Sequence, residues 1–455
     1  MSDSRMRLNA SLLLRLAAGV TLATALVAVD VRASARPRAK CQHERVTISG
    51  SPRDDVIAGT RGNDVIAGFG GNDRIRGRGG FDVVCGGSGD DVLDGGDAID
   101  FLAPGGGRDL VSGGPDRINV VTYAASPRGV VVDLAAGVAT GWGRDKISRV
   151  HQVYGSRFDD LIAGDRSGNA LIGWRGNDTL RGRRGDDSVE GNGGHDRGRG
   201  GRGIDVIAFL NSPRGIRVNL AAGRATGEGR DRVLGFEDVV ASTFSDVVIG
   251  NARDNFLVDG GSGDDEIEGR NGDDVISRYR GEGVIRGGNG RDTVHYVFGG
   301  AIDLSTGSAV GLEYSDTLSG IENVLGSPEP DVITGSDETN LLEGRGRRDE
   351  IHAGGGDDTV RGNAGDDTLA GGLGTDRLSG GRGDDTCIEG EVVVRCERAL
   401  WKAAARLQHR RQDLRAARGH QARSPSRLTI RDPRCAMLPA QKVAVPAHSL
   451  LACGG

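Results

Sequence analysis

An all-β fold, a parallel β-roll or β-helix solenoid of stacked nonapeptides with β-rich spacer modules, is predicted by three features of the sequence. Aspartate recurs every nine residues over long runs, glycine stands two residues before most of these aspartates, and a second self-similarity of roughly 85 to 90 residues separates the runs. Composition agrees that ordinary side-chain burial is not the organising force. Of 455 residues, 78 are glycine and only 4% are aromatic. Each glycine loses more backbone freedom on folding than any other residue, so a free chain of this composition should be disordered.

In chain order, residues 1–35 read as a secretory signal peptide. Arg5, Arg7 and Arg15 precede an apolar run from Leu16 to Val29, and Ala33-Ser34-Ala35 supplies a small-x-small cleavage site. The mature chain is expected to begin near Arg36. A membrane anchor needs about 20 apolar residues, which this run does not reach, and no later segment could span a bilayer. Six cysteines in an exported chain are expected to pair rather than bind metal, since no CxxC occurs. The predicted localisation is therefore secreted, extracellular, with possible cell-surface association.

Residues 36–118 form the first predicted roll with an N-terminal cap. Asp55, Asp64, Asp73, Asp82, Asp91, Asp100 and Asp109 keep the nine-residue spacing, with Ile57, Ile66, Ile75, Val84 and Leu93 two residues after the first five. Residues 119–210 hold a spacer and a second block, Asp160, Asn169, Asp178, Asp187, Asp196 and Asp205. Residues 211–300 hold a spacer and a third, Asp246, Asn255, Asp265 after a one-residue slip, Asp274 and Asp292. Residues 301–396 close with a spacer and Asp331, Asn340, Asp349, Asp358, Asp367, Asp376 and Asp385. Each aspartate ends a glycine-rich turn, and the residues around the following apolar side chain form a short strand. Two nonapeptides then make one coil with two strands, and stacked coils bury a thin aliphatic core.

Near-ideal units such as GGSGDDVLD from Gly86, GGSGDDEIE from Gly260, GGNGRDTVH from Gly287, GGLGTDRLS from Gly371 and GGRGDDTCI from Gly380 resemble the RTX, or hemolysin-type, calcium-binding repeat GGxGxDxUx, with U a large apolar residue. The resemblance covers most of residues 46 to 394 and implies Ca²⁺ as cofactor. The chemistry is consistent, because glycine turns expose carbonyls, aspartate adds a hard oxygen, and Ca²⁺ accepts six to eight oxygens in flexible geometry. The expected metal ligands are Asp55, Asp64, Asp73, Asp82, Asp91, Asp109, Asp178, Asp187, Asp196, Asp205, Asp265, Asp274, Asp292, Asp349, Asp358, Asp367, Asp376 and Asp385. Several units are degenerate. Position 283 carries Gly for Asp, Gly198 replaces the apolar residue after Asp196, and Arg347 replaces glycine before Asp349. Arg183, Arg184, Arg345 and Arg382 at turn positions are expected to oppose a nearby cation.

The spacers read VVVDLAAGVATG from Val130, IRVNLAAGRATG from Ile216 and AIDLSTGSAVG from Ala301, each followed by a second shared motif. They too resemble modules between RTX blocks. Alternating Val130, Val132 and Leu134 fit strands that extend the same sheet into the core. Cys41 and Cys85 are expected to meet at the N-terminal cap, folding the leader back over the first coils. Cys387 and Cys396, one nonapeptide apart, are expected to pair where the array stops, leaving Cys435 and Cys453. Residues 397–455 lose the repeat and become a basic tail, expected to be a solvated extension.

No HExxH, GxSxG, GxxxxGK[ST] or kinase-like set occurs, and doublets such as Asp186-Asp187 and Asp357-Asp358 recur unit after unit, which fits ligand duty better than an active site. The sequence therefore predicts a secreted calcium-binding repeat protein with no catalytic residues, folding on extracellular Ca²⁺ and acting in surface or matrix adhesion. The expected partners are calcium ions and cell-surface or matrix polysaccharide, not nucleic acid. A polysaccharide-acting enzyme or a cytolysin-like toxin using the repeats for secretion is the alternative.

Overall fold

A computed structural model describes residues 40–116 and 118–396, with main chain alone at Lys40 and Arg398–Leu400. The expected signal peptide, the expected basic tail beyond Leu400, Cys435 and Cys453 lie outside the described residues, whereas Arg398–Leu400 at the start of that tail is a strand paired in parallel with Thr386–Ile388 rather than a solvated extension. Every regular element among those described is a strand.

Successive strands alternate between two parallel sheets, so that each strand pairs with the one a full coil away. Ile66 in Val65–Gly70 pairs with Val84 in Val83–Ser88, and Val84 with Leu102 in Phe101–Gly106. On the other sheet Ile57 pairs with Ile75, Ile75 with Leu93, and Leu93 with Val111. The in-register apolar residues face each other across the coil and are almost wholly buried, forming one core from Ile57 to Cys387. This is the thin aliphatic core that the spacing predicts.

The second turn residue carries much of the backbone constraint. Gly87 has φ of +116°, and a β-carbon there would lie 2.2 Å from the carbonyl oxygen of Phe69 in the coil below. Gly62 has ordinary φ, and its nearest neighbour would be 3.8 Å away. Gly87→Ala should therefore destabilise the first block by at least about 1–3 kcal/mol, the usual cost of a forced left-handed residue. Gly62→Ala should stay within about 0.5 kcal/mol. Denaturant midpoints of the two variants check this, and equal midpoints would contradict the assigned turn.

The spacers depart from simple coiling in one sheet only. After Leu110–Ser112 the chain places Val131–Asp133 ahead of its turn, then doubles back through Val138–Thr140 and Arg144–Ser148 as an antiparallel meander. Arg144–Ser148 pairs in parallel with Leu110–Ser112, and Val131–Asp133 with Leu161–Ala163. The same meander recurs at Arg217–Leu234 and Gly300–Ser319. Each spacer thus adds two positions to one sheet and none to the other, giving described sheets of 24 and 18 strands. The expected extension of the sheet is present, with antiparallel pairing that the sequence did not disclose. A shared tight turn causes the reversal: Asp133 Oδ1 accepts the Ala136 N–H at 3.0 Å, and Gly137 follows with φ of +66°.

Both expected disulfides form. Cys387 faces the core and bonds Cys396 where the solenoid ends. Cys41 bonds Cys85, but the leader lies on the outer face of one sheet, where Cys41 packs with Ala67, Val83, Phe101 and Val120. It is a strap on the flank of the first coils, because Cys85 sits one residue beyond the inward Val84 and points outward.

Candidate metal centres

The repeat aspartates line both edges of the solenoid with their carboxylates turned into the protein. From Asp73 onward within the blocks, Oδ1 accepts the main-chain N–H of the counterpart one coil earlier, while after the spacers Oδ1 of Asp160, Asp246 and Asp331 accepts the N–H of Val130, Ile216 and Gly300. Asp55 N–H reaches Asp73 at 2.8 Å, Asp73 reaches Asp91 at 2.8 Å, and Asp160, Asp178 and Asp187 reach Asp178, Asp196 and Asp205 at 2.8, 2.8 and 2.9 Å. The last block repeats the ladder from Asp331 to Asp385. Half of each of these carboxylates therefore ties coil to coil.

The other oxygen divides the turns into two classes. In eight turns a side-chain oxygen, Oδ2 of an aspartate or the amide Oδ1 of an asparagine, accepts a hydrogen bond from the main-chain N–H four residues earlier: Ser51 to Asp55, Thr60 to Asp64, Ser156 to Asp160, Asp165 to Asn169, Ser242 to Asp246, Asn251 to Asn255, Ser327 to Asp331 and Ser336 to Asn340, all at 2.5 to 2.8 Å. These closed turns stand in pairs, one on each edge, at the head of every block. In the remaining turns the residue four before the aspartate has positive φ, which carries its N–H away. Oδ2 of Asp73, Asp82, Asp91, Asp100, Asp109, Asp178, Asp187, Asp196, Asp205, Asp274, Asp292, Asp349, Asp358 and Asp367 is then buried with no hydrogen-bond donor. Asp376 and Asp385 follow Gly372 and Gly381, which share the positive φ.

A buried carboxylate oxygen without a donor is costly unless a cation meets it. Each open turn also brings main-chain oxygens close to it. A β-carbon on Gly86 would lie 2.3 Å from Asp91 Oδ2 and 2.5 Å from the Pro104 carbonyl of the next coil, and Gly182 is similarly placed between Asp187 Oδ2 and the Gly200 carbonyl. Among the described residues no three His, Cys, Asp or Glu side chains group as a ligand set. An ion here would accordingly draw on one carboxylate per turn and on carbonyls, a hard-oxygen supply that suits Ca²⁺. Burial pushes the open carboxyls up, to about 6 at Asp82 and Asp91, about 7 at Asp100 and Asp109, and about 8 at Asp178 and Asp187, with the carboxylate of the neighbouring coil adding to the rise.

The candidate residues are thus not equivalent. Asp55 and Asp64 are closed by Ser51 and Thr60, and Asp265 Oδ2 accepts from Arg278 at 2.7 Å. Asp100, in register but outside the expected ligand set, belongs to the open class; Asp238 on the spacer strand Asp238–Val240 also buries an Oδ2 without a donor but is not a turn aspartate. Ser, Thr or Asp as the second turn residue occurs only in closed turns, whereas Asn occurs in both, closed at Asn251 and open with positive φ at Asn192 and Asn363. The first member of each doublet has a different duty from its partner. Asp90 Oδ1 accepts the Arg108 N–H at 2.9 Å and Asp186 Oδ1 the Ile204 N–H at 3.1 Å, an exposed ladder that stitches neighbouring coils.

The irregular units have local explanations. Phe236 from the spacer fills the space left by Gly198, at 3.3 Å from where its β-carbon would be. Arg347 adopts φ of +63° and pairs outward with Glu329 at 2.8 Å. Arg183, Arg184, Arg345 and Arg382 are exposed. Arg183 pairs with Asp133 at 2.8 Å, and Arg345 meets His295 at 2.9 Å.

A family model described as RTX calcium-binding nonapeptide repeat (4 copies) matches residues 49–84, 86–117, 152–180, 172–207, 240–276, 249–285, 334–369 and 352–387. No curated protein matches the chain.

Proposed function

Because this chain belongs to the RTX calcium-binding nonapeptide repeat family, we propose that it is an exported protein whose open turns take up Ca²⁺ outside the cell and whose folded solenoid serves surface or matrix adhesion. The observation that carries this reading is the row of buried aspartate oxygens without donors, repeated coil after coil on both edges. In the proposal the ligands are the open-turn aspartates with the carbonyls beside them, and Asp55, Asp64 and Asp265 are left out. Bound calcium supplies positive charge to carboxylates that the protein itself leaves uncompensated. The two disulfides support an oxidising compartment, as does the basic and then apolar N-terminus.

The proposed scaffold carries out no catalysis, and a buried Ser–His pair does not argue for a nucleophile. Ser277 and His295 form a buried Ser–His pair, with Oγ and Nδ1 at 3.1 Å. Arg345 donates to His295 Nε2, which leaves Nδ1 as the protonated nitrogen facing the serine. Burial and the Arg345 charge hold the imidazole down to about 4. The ring therefore donates to the serine and does not serve as its base.

Expression of the full chain in a secreting host tests the proposal. The expected result is protein in the medium beginning near Arg36, retained on immobilised matrix polysaccharide in calcium and released by EGTA. Retention that ignores EGTA, or protein kept inside the cell, would contradict it.

A further inference from the structure

Two of the third block's departures from the nonapeptide are joined in the structure. Arg278 stands where neighbouring turns begin with glycine, as at Gly269 and Gly287, and Gly283 stands where they carry aspartate. Arg278 is fully buried. Its Nη1 donates to Asp259 Oδ2 at 3.0 Å and Asp265 Oδ2 at 2.7 Å, while Nε and Nη2 donate to the two oxygens of Asp316 at 3.2 and 3.0 Å. Asp265 and Asp316 flank Gly283 in strand register, one coil to either side. A β-carbon on Gly283 would lie 2.4 Å from Asp316 Oδ1 and 2.8 Å from Arg278 Nη2. Aspartate at 283 and arginine at 278 therefore exclude one another.

We propose that Arg278 is a tethered cation that takes the place of the metal ion between these coils, so that this joint closes without calcium. The inference rests on the calcium reading of the open turns. Asp265 Oδ2 is the counterpart of the oxygen that has no donor in those turns, and here a guanidinium N–H meets it. A planar guanidinium with five donors can span several carboxylates at once. Once buried, it must keep those partners, since an uncompensated charge there is strongly destabilising. The third block thus holds one joint whose order does not depend on the ion.

Equilibrium dialysis with radioactive calcium on the full chain, joined to hydrogen exchange in EGTA, tests this. Arg278→Gly combined with Gly283→Asp restores the nonapeptide. It is expected to bind one calcium more than the wild type, and its amides between residues 263 and 285 should exchange in EGTA at least about tenfold faster. An unchanged calcium count in a double variant with the wild-type calcium-loaded circular dichroism overturns the role of Arg278 and leaves the open turns intact. A wild-type chain that binds no calcium instead rejects the reading of the open turns. If the double variant does not fold, Arg278→Lys keeps a cation in place and is expected to leave the count unchanged; one added calcium in that variant overturns the proposal.

Discussion

Chelating calcium should unfold the repeat blocks. In EGTA the chain from residue 36 onward is expected to lose most of its far-ultraviolet β signal, and to regain it cooperatively near millimolar CaCl₂ but not in MgCl₂. The reasoning starts from the 78 glycines, whose entropy cost the thin core must offset, and continues with the donor-free carboxylate oxygens stacked along both edges. A site with a dissociation constant of about 10⁻⁴ M contributes roughly 1.4 kcal/mol in millimolar calcium. About a dozen such sites give on the order of 15 kcal/mol, comparable to the stability of a whole domain. Mg²⁺ demands stricter octahedral geometry and dehydrates reluctantly, so carbonyl-rich turns of this kind should respond to it poorly. A spectrum indifferent to calcium would mean that the open turns stand without a metal, and the scaffold reading would lose its support.

Mild acid should partly replace calcium. The open-turn carboxyls are raised by burial from the ordinary aspartate value to between about 6 and 8. Between roughly pH 4 and pH 8 the folded, ion-free chain consequently binds more protons than the unfolded one. Its stability falls as pH rises through that window and is greatest at the acid end. In EGTA the β signal is accordingly expected to be larger near pH 5 than at pH 7.5. Calcium uptake runs the other way, because protons must leave the ligands. For a carboxyl at about 7, the apparent affinity should fall about tenfold between pH 8 and pH 6. Calcium titrations at these two pH values check the sign, and a midpoint that does not move with pH would show that these carboxyls are not the groups that bind.

Much of this was legible in the sequence, for a physical reason. In a solenoid each residue meets mainly its own neighbours and the residue 18 positions away, as in the Asp55 to Asp73 bond, so a local period fixes the tertiary neighbour as well. The nine-residue spacing of Asp73, Asp82 and Asp91, the apolar residue two places on, and the cysteine spacings accordingly yielded the coil, the core and both disulfides. The open or closed state of a turn was half legible. Ser51 and Thr60 stand in plain view as second turn residues, but their meaning rests on the backbone angle that directs an N–H toward or away from the carboxylate.

What only the tertiary structure decided are the contacts that the period does not carry. The meander of Val131–Asp133, Val138–Thr140 and Arg144–Ser148 reverses direction inside one sheet. Phe236 repairs the core at Gly198, 38 residues away in the sequence. Arg278 and Gly283 read as two separate defects along the chain and become one ion-paired joint only when Asp259, Asp265 and Asp316 are brought around them. Repetition encodes each neighbour in advance, whereas an interruption of the repeat must find its partner in space.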